Sequence, residues 1–170
     1  ANKYTYKWEK SSDNKNWQLV GVNSSLTISS EYKGKYIRAK VSYEDSEGFK
    51  ESVVTKEIQI DHNPIIKGPS GNAGDNTSNK SIIENNKDIY TFTADENVTW
   101  SLVNGDDSNL FEIDKSTGEL SFKLAPDYEN PSDSDKNNSY VATIRATDND
   151  GETSDQKFTA NVEDDGYHIN

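Results

Sequence analysis

The groups in this 170-residue chain that can do chemistry are almost all carboxylates: 30 Asp and Glu stand against 18 Lys and Arg, with 2 His and no Cys. Without thiols, disulfide scaffolds, Cys-based zinc fingers and cysteine catalysis are excluded. His62 and His168 each lack a second histidine nearby in sequence, so they read as surface residues rather than transition-metal ligands. An acidic, oxygen-rich surface suits a hard cation instead, and calcium takes roughly six to eight carboxylate and carbonyl oxygens in a tolerant geometry. Asp133-Ser134-Asp135-Lys136-Asn137 opens with the spacing of an EF-hand loop, but Gly is missing at the sixth place and Glu at the twelfth. It reads as a flexible polar loop, with an extra ion site as the alternative. Asp148-Asn149-Asp150-Gly151 reads as a hairpin turn rather than a site. Paired carboxylates also serve glycosidases, but only when they face each other across a cleft, which nothing in the sequence supplies. The expectation is a non-enzymatic protein. Trp8, Trp17 and Trp100 offer rings that stack on sugars, although such residues more often fill sandwich cores.

The elements that must position these groups are short strands. Only 31% of residues are hydrophobic, yet 10% are aromatic, so a core must be built from large side chains separated by many turn formers. No apolar run approaches the ~20 residues of a membrane-spanning helix, and a net charge of −12 opposes binding to nucleic acid. The charge is uneven: residues 1–61 hold 10 basic and 9 acidic groups, for +1, whereas residues 62–170 hold 8 and 21, for −13. The stretch from Asp61 to Ser81, with Pro64, Gly68, Pro69, Gly71 and Gly74 and no apolar period, marks a boundary. The chain lacks Met and any signal-peptide pattern, so it reads as a segment of a longer protein. The expected organisation is a first domain at 1–61, a linker and first-strand region at 62–81, a second domain at 82–165, and a tail at 166–170.

In the first segment Tyr4, Tyr6 and Trp8 alternate with Thr5 and Lys7, which places three aromatics on one face. A turn cluster spans Ser11 to Asn16, and extended structure resumes at Trp17 to Val20. Leu26 and Ile28 alternate about Thr27; Tyr36 to Tyr43 alternates throughout; Ser52 to Ile60 closes the segment. This predicts part of a β-sandwich. Tyr6-Lys7-Trp8, Trp17, Gly34-Lys35-Tyr36-Ile37-Arg38 and Tyr43-Glu44-Asp45 with Gly48 resemble bacterial immunoglobulin-like repeats of large surface proteins. Those repeats carry one or two more strands ahead of the Tyr-x-Trp strand. The resemblance therefore implies an N-terminally truncated domain with an exposed edge or core face.

From Ile82 onward, strands are expected at Ile89–Ala94, Val98–Leu102, Leu110–Ile113, Leu120–Phe122, Tyr140–Thr147 and Gln156–Val162. Turns fall at Asp114–Gly118 and Asp148–Gly151. These give a second antiparallel sandwich, so the predicted class is all-β with two tandem sandwiches. Ala94-Asp95, Asn104-Gly105-Asp106, Phe111-Glu112-Ile113-Asp114, Thr117-Gly118-Glu119-Leu120, Pro126-Asp127-Tyr128-Glu129 and Ala146-Thr147-Asp148 follow one another in order. This series resembles the cadherin repeat in its bacterial form, over roughly residues 62–165.

The resemblance implies calcium at the domain ends. Glu84, in Ile82-Ile83-Glu84-Asn85, matches the family's first-strand glutamate. Asp127 and Glu129 match the carboxylates of its Leu-Asp-Arg-Glu motif, with Pro126 and Tyr128 in place of Leu and Arg. Asp164 matches the first aspartate of the Asp-x-Asn-Asp-Asn linker, and these groups are expected to converge at the C-terminal end of the second domain. At the other end, Asp95 matches the first aspartate of Asp-x-Asp, Asp148 the Asp near the last hairpin, and Asp61 with Asn63 a shortened linker. The departures are the missing Asp-Asn after Asp164 and the extra residues between Pro64 and Glu84. Either set also has a plainer reading: a solvated acidic rim, or Asp95 and Asp148 capping tight turns.

A resemblance of this kind implies a calcium-binding extracellular or cell-surface repeat module, serving adhesion or acting as a calcium-rigidified spacer. Its partners would be neighbouring repeats of the same parent chain, with a cell-surface protein or polysaccharide as the adhesion target. The alternatives are a carbohydrate-binding module of a secreted enzyme and an ion-independent structural spacer.

Overall fold

Alternating side chains and frequent turn formers give strands throughout. In the computed structural model, which describes residues 3–167, the chain separates into two units, Ala1–His62 and Asn63–Asn170. His168 lies outside the described residues.

The first unit contains β1 (Lys3–Ser11), β2 (Gln18–Gly21), β3 (Tyr36–Glu44), β4 (Lys50–Val54) and β5 (Ile58–Gln59). They form one sheet in the order β2-β1-β3-β4, with β5 also paired to β3. Tyr4, Tyr6 and Trp8 lie opposite Tyr43, Val41 and Ala39, so the aromatic face of β1 continues onto β3. Ile37, Ala39 and Tyr32 are buried, whereas Tyr4 and Val53 on the same face remain exposed. The β1–β2 turn is held by the Asp13 carboxylate, which accepts the N–H groups of Lys15 and Asn16 at 2.9 and 2.8 Å. Those bonds favour the ionised form and hold Asp13 well below the usual carboxylate range.

Two expectations for this unit differ from the structure. Leu26–Ile28 forms no strand: it pairs with no neighbour, and just ahead of it the Asn23 carbonyl accepts the Trp8 indole N–H at 3.0 Å. Ser52–Ile60 is interrupted at Thr55, whose N–H donates to the Ala39 carbonyl and whose hydroxyl accepts the Ala39 N–H. This local clasp separates β4 from β5.

The second unit contains β6 (Ile66–Lys67), β7 (Thr77–Ile83), β8 (Asp88–Thr91), β9 (Thr93–Ala94), β10 (Thr99–Val103), β11 (Phe111–Ile113), β12 (Glu119–Phe122), β13 (Ser139–Thr147) and β14 (Thr153–Glu163). A four-stranded sheet, β10-β13-β14-β7, faces a three-stranded one, β11-β12-β8, and β6 pairs with β9. Strict alternation along β13 buries Tyr140, Ala142, Ile144 and Ala146. Their core partners come from both sheets, including Phe111, Leu120 and Phe122 on one side and Trp100 and Phe158 on the other. Phe111 stacks on Phe122 at 4.9 Å, and Phe92 meets Phe158 edge-on at 5.6 Å, while alanines on β13 and β14 leave room for the rings. This is a β-sandwich built on few but large apolar residues.

The unit is not wholly antiparallel. β7 runs parallel to β14, with Thr77 to Ile83 opposite Lys157 to Glu163. Residues 62–81 contribute β6 and the start of β7. β7 is secured near its start by the buried Gln156, whose Oε1 accepts the Ser78 hydroxyl at 2.7 Å and whose Nε2 donates to the Asp75 carbonyl. Gly68 passes so close that an added Cβ would sit 2.2 Å from Gln156 Oε1.

Candidate metal centre

The parallel pairing of β7 with β14 has a direct chemical consequence: both strands end at the same end of the unit. Glu84, just past β7, donates its N–H to the Glu163 carbonyl at 2.9 Å, and Asp164 and Asp165 follow immediately. The segment after β12 reaches the same place, because Asn85 donates its N–H to the Pro126 carbonyl at 2.9 Å. Asn85 adopts φ of 62°, a left-handed conformation that Asn tolerates better than most residues.

Three distant segments thus bring their carboxylates together. Glu84, Asp127 and Glu129 offer oxygens within 4.8 Å of one another, and so do Glu84, Asp164 and Asp165. Glu84 belongs to both groups and is only 6% exposed. Its Oε2 accepts the Tyr128 N–H at 2.9 Å and its Oε1 the Asp165 N–H at 3.3 Å. Each carboxylate oxygen has a second lone pair, so these bonds orient Glu84 without exhausting it. Asp127 Oδ1 also accepts the Asn130 N–H, and Asp164 Oδ1 the Gly166 N–H. The donor set is hard oxygen only, which fits calcium or magnesium and not a thiophilic metal. Five carboxylates in this space concentrate negative charge that a cation would neutralise.

At the opposite end of β14 the positions differ in character. Asp148 caps its own hairpin, its Oδ1 accepting the N–H groups of Asp150 and Glu152 at 2.9 and 2.8 Å. Its second oxygen is buried and has no hydrogen-bond partner. Asp148 and Glu152 offer carboxylate oxygens within 4.8 Å. Asp95 Oδ1 accepts the Ile65 N–H at 2.8 Å, and Asn63 Nδ2 donates to the Thr153 carbonyl at 2.9 Å. Both tie the start of the unit to its body. Asp61 belongs to the first unit, where its Oδ1 accepts the His62 N–H.

Sequence reasoning missed Asp165 and Glu152. Asp165 carried a signal, since it directly follows Asp164 in a run of two aspartates. Glu152 carried none, as its place beside Asp148 depends on how the hairpin closes. Of the tryptophans, Trp100 is a core residue, and the Trp17 ring lies under the Arg38 guanidinium at 4.0 Å. No helix among the described residues is long and apolar enough to cross a membrane.

No family model matches the chain, and no curated protein matches it. Solved structures do. Mouse clustered PcdhgC3 EC1-3 is 14% identical with a TM-score of 0.54, over 96% of this chain and 55% of that one. Human CDH23 EC21-23 is 16% identical with a TM-score of 0.52, over 95% and 58%. The protocadherin gammaB7 EC3-6 cis-dimer structure is 15% identical with a TM-score of 0.52, over 95% and 41%. The chain therefore spans roughly two fifths to three fifths of the chains it resembles. At this level of identity the likeness concerns architecture alone: the chain has the all-β, cadherin-like fold of these extracellular domains.

Proposed function

We propose that this chain is a non-catalytic, calcium-binding repeat module of a large bacterial extracellular or surface protein, used for adhesion or as a calcium-rigidified spacer. In this reading its first unit is an immunoglobulin-like repeat, and its partners are neighbouring repeats of the same parent chain. The observation that carries the proposal is the convergence of Glu84, Asp127, Glu129, Asp164 and Asp165 from three segments around one buried carboxylate. Bound calcium would supply positive charge to that cluster. The chain's own part is to present the oxygens: Glu84 is fixed by two backbone N–H groups, and Asp127 and Asp164 are held in turns by Asn130 and Gly166. Asp164 and Asp165 lie just past the last strand. Neutralising them together with Glu84 would stiffen the exit of the chain towards whatever follows. The buried, unpartnered Asp148 Oδ2 supports a second cation position at the opposite end of the unit.

Thermal unfolding in EDTA and in millimolar calcium tests this. Saturable binding raises stability by RT ln(1 + [L]/Kd), about 2.7 kcal/mol at a hundredfold excess over Kd. An unchanged melting temperature in calcium, with a rise on adding a soluble polysaccharide, would overturn the proposal in favour of a carbohydrate-binding module.

A further inference from the structure

The segment between Pro131 and Ser139 is rich in polar residues, yet one of them is among the most buried side chains in the molecule. Asp133 is 1% exposed. Its Oδ2 accepts the Asn137 N–H at 2.8 Å, while its Oδ1 is buried and has no hydrogen-bond partner. Asn138 repeats the pattern: its Nδ2 donates to the Tyr128 carbonyl, and its Oδ1 is buried without a partner. A buried acceptor with nothing to accept from is costly, and an ionised one more so. We propose that this loop is a further, independent cation site, distinct from both ends of the unit, in which Asp133 Oδ1 and the carboxylate of Asp135 hold a hard divalent ion of the calcium class.

The surroundings favour a cation over a rearranged hydrogen bond. Asn137 spans the two carboxyl groups, its N–H on Asp133 Oδ2 and its Nδ2 on Asp135 Oδ2, and Asp133 Oδ1 is left buried without a partner. Nearby groups do not relieve this. Asp107 is buried but spends both oxygens on the N–H groups of Ser134 and Val141, so it braces the loop. Lys136 directs its ammonium to the Pro131 carbonyl, and the Tyr140 hydroxyl accepts the Ser132 N–H. Asn137 Nδ2 holds Asp135 Oδ2 at 2.7 Å, which fixes one side of the exposed carboxylate. Two carboxylates and an amide oxygen are a sparse set for calcium, so the remaining ligands would be backbone carbonyls and water, and the affinity would fall at a Kd of roughly 0.1–1 mM.

The test is a calcium titration of the whole chain followed by amide NMR, which resolves this site from the C-terminal cluster. The proposal expects saturable shifts at the amides of Ser134 and Asn137, with a midpoint separate from that of Tyr128 and Asp165, whose N–H groups report on Glu84. Asp135→Asn, an exposed position that leaves the fold intact, should abolish the first set and leave the second. Three results would overturn it: no movement at Ser134 and Asn137 up to about 10 mM calcium, a saturation that survives Asp135→Asn, or carboxyl ¹³C shifts showing one proton shared by Asp133 and Asp135 at neutral pH that calcium does not displace. Loss of the Tyr128 and Asp165 response alone would instead count against the function proposed above.

Discussion

Glu84 accepts the backbone N–H of Asp165 at 3.3 Å across 81 positions of sequence. Its other oxygen holds Tyr128 at 2.9 Å. One buried side chain thus sets the geometry of both acidic segments beside it, whether or not a metal is bound. Glu84→Gln keeps one acceptor oxygen and turns the other into an NH₂ that confronts an N–H donor. In EDTA the variant should lose about 1–3 kcal/mol, the cost of a buried donor left unsatisfied. Urea unfolding followed by Trp fluorescence would show a lower midpoint with an unchanged slope. An unchanged midpoint would mean that these two hydrogen bonds do not matter to the fold.

Glu129 makes the complementary case. It is exposed and joins the cluster with Glu84 and Asp127. Removing it should change metal-free stability by no more than about 0.5 kcal/mol, as for most surface substitutions. Glu129→Ala is nevertheless expected to remove most of the calcium-induced rise in melting temperature at this end. A rise as large as that of the parent chain would show that Glu129 is not a ligand.

The all-β class was legible because β13 and β14 bury one face against aromatic residues and leave the other to solvent, and a period of two records that directly. The parallel run of β7 beside β14 was not. Thr77 to Lys80 are polar and mostly exposed, since β7 is an edge strand with a single neighbour. Yet that pairing is what carries Glu84 to Asp164 and Asp165, so the family motifs could name three of these segments while the sequence alone could not show why they meet. Asp133 illustrates the opposite failure. Its neighbours Ser132, Ser134 and Asp135 are all exposed and polar, and its own burial comes from the loop folding back over it.

Gly118 closes the turn between β11 and β12, with its N–H on the Asp114 carbonyl and its carbonyl taking the Phe92 N–H. Its φ is +75°, and an added Cβ would lie 2.6 Å from the Phe92 carbonyl oxygen and 2.9 Å from the Trp100 ring. Backbone and a buried indole cannot both retreat, so Gly118→Ala combines left-handed strain with overpacking. A loss of roughly 3 kcal/mol or more is expected. Gly151, with φ of +88° and nothing within 4 Å of the added atom, isolates the strain alone. Gly151→Ala should cost only about 1 kcal/mol. Equal losses in the two variants would remove the steric part of this account.

Arg145 and Asp155 form a two-pronged ion pair across β13 and β14, Nε to Oδ1 at 2.7 Å and Nη2 to Oδ2 at 2.8 Å. The guanidinium holds the Asp155 carboxyl below its usual range, opposed in part by burial. A carboxyl depressed in the folded state stabilises the fold above its unfolded pKa of about 3.9, and that contribution is lost as pH falls through the folded value. Both side chains are about two fifths exposed, so solvent screening keeps the pair below roughly 1 kcal/mol despite its geometry. Asp155→Asn should therefore unfold at slightly lower urea than the parent at pH 7, and the gap should close as the pH is lowered beneath the folded pKa. High salt at neutral pH should narrow the same gap, because the attraction is partly exposed. A gap that stays constant across the acid range would assign the loss to packing of the Asp155 side chain on the sheet surface rather than to its charge.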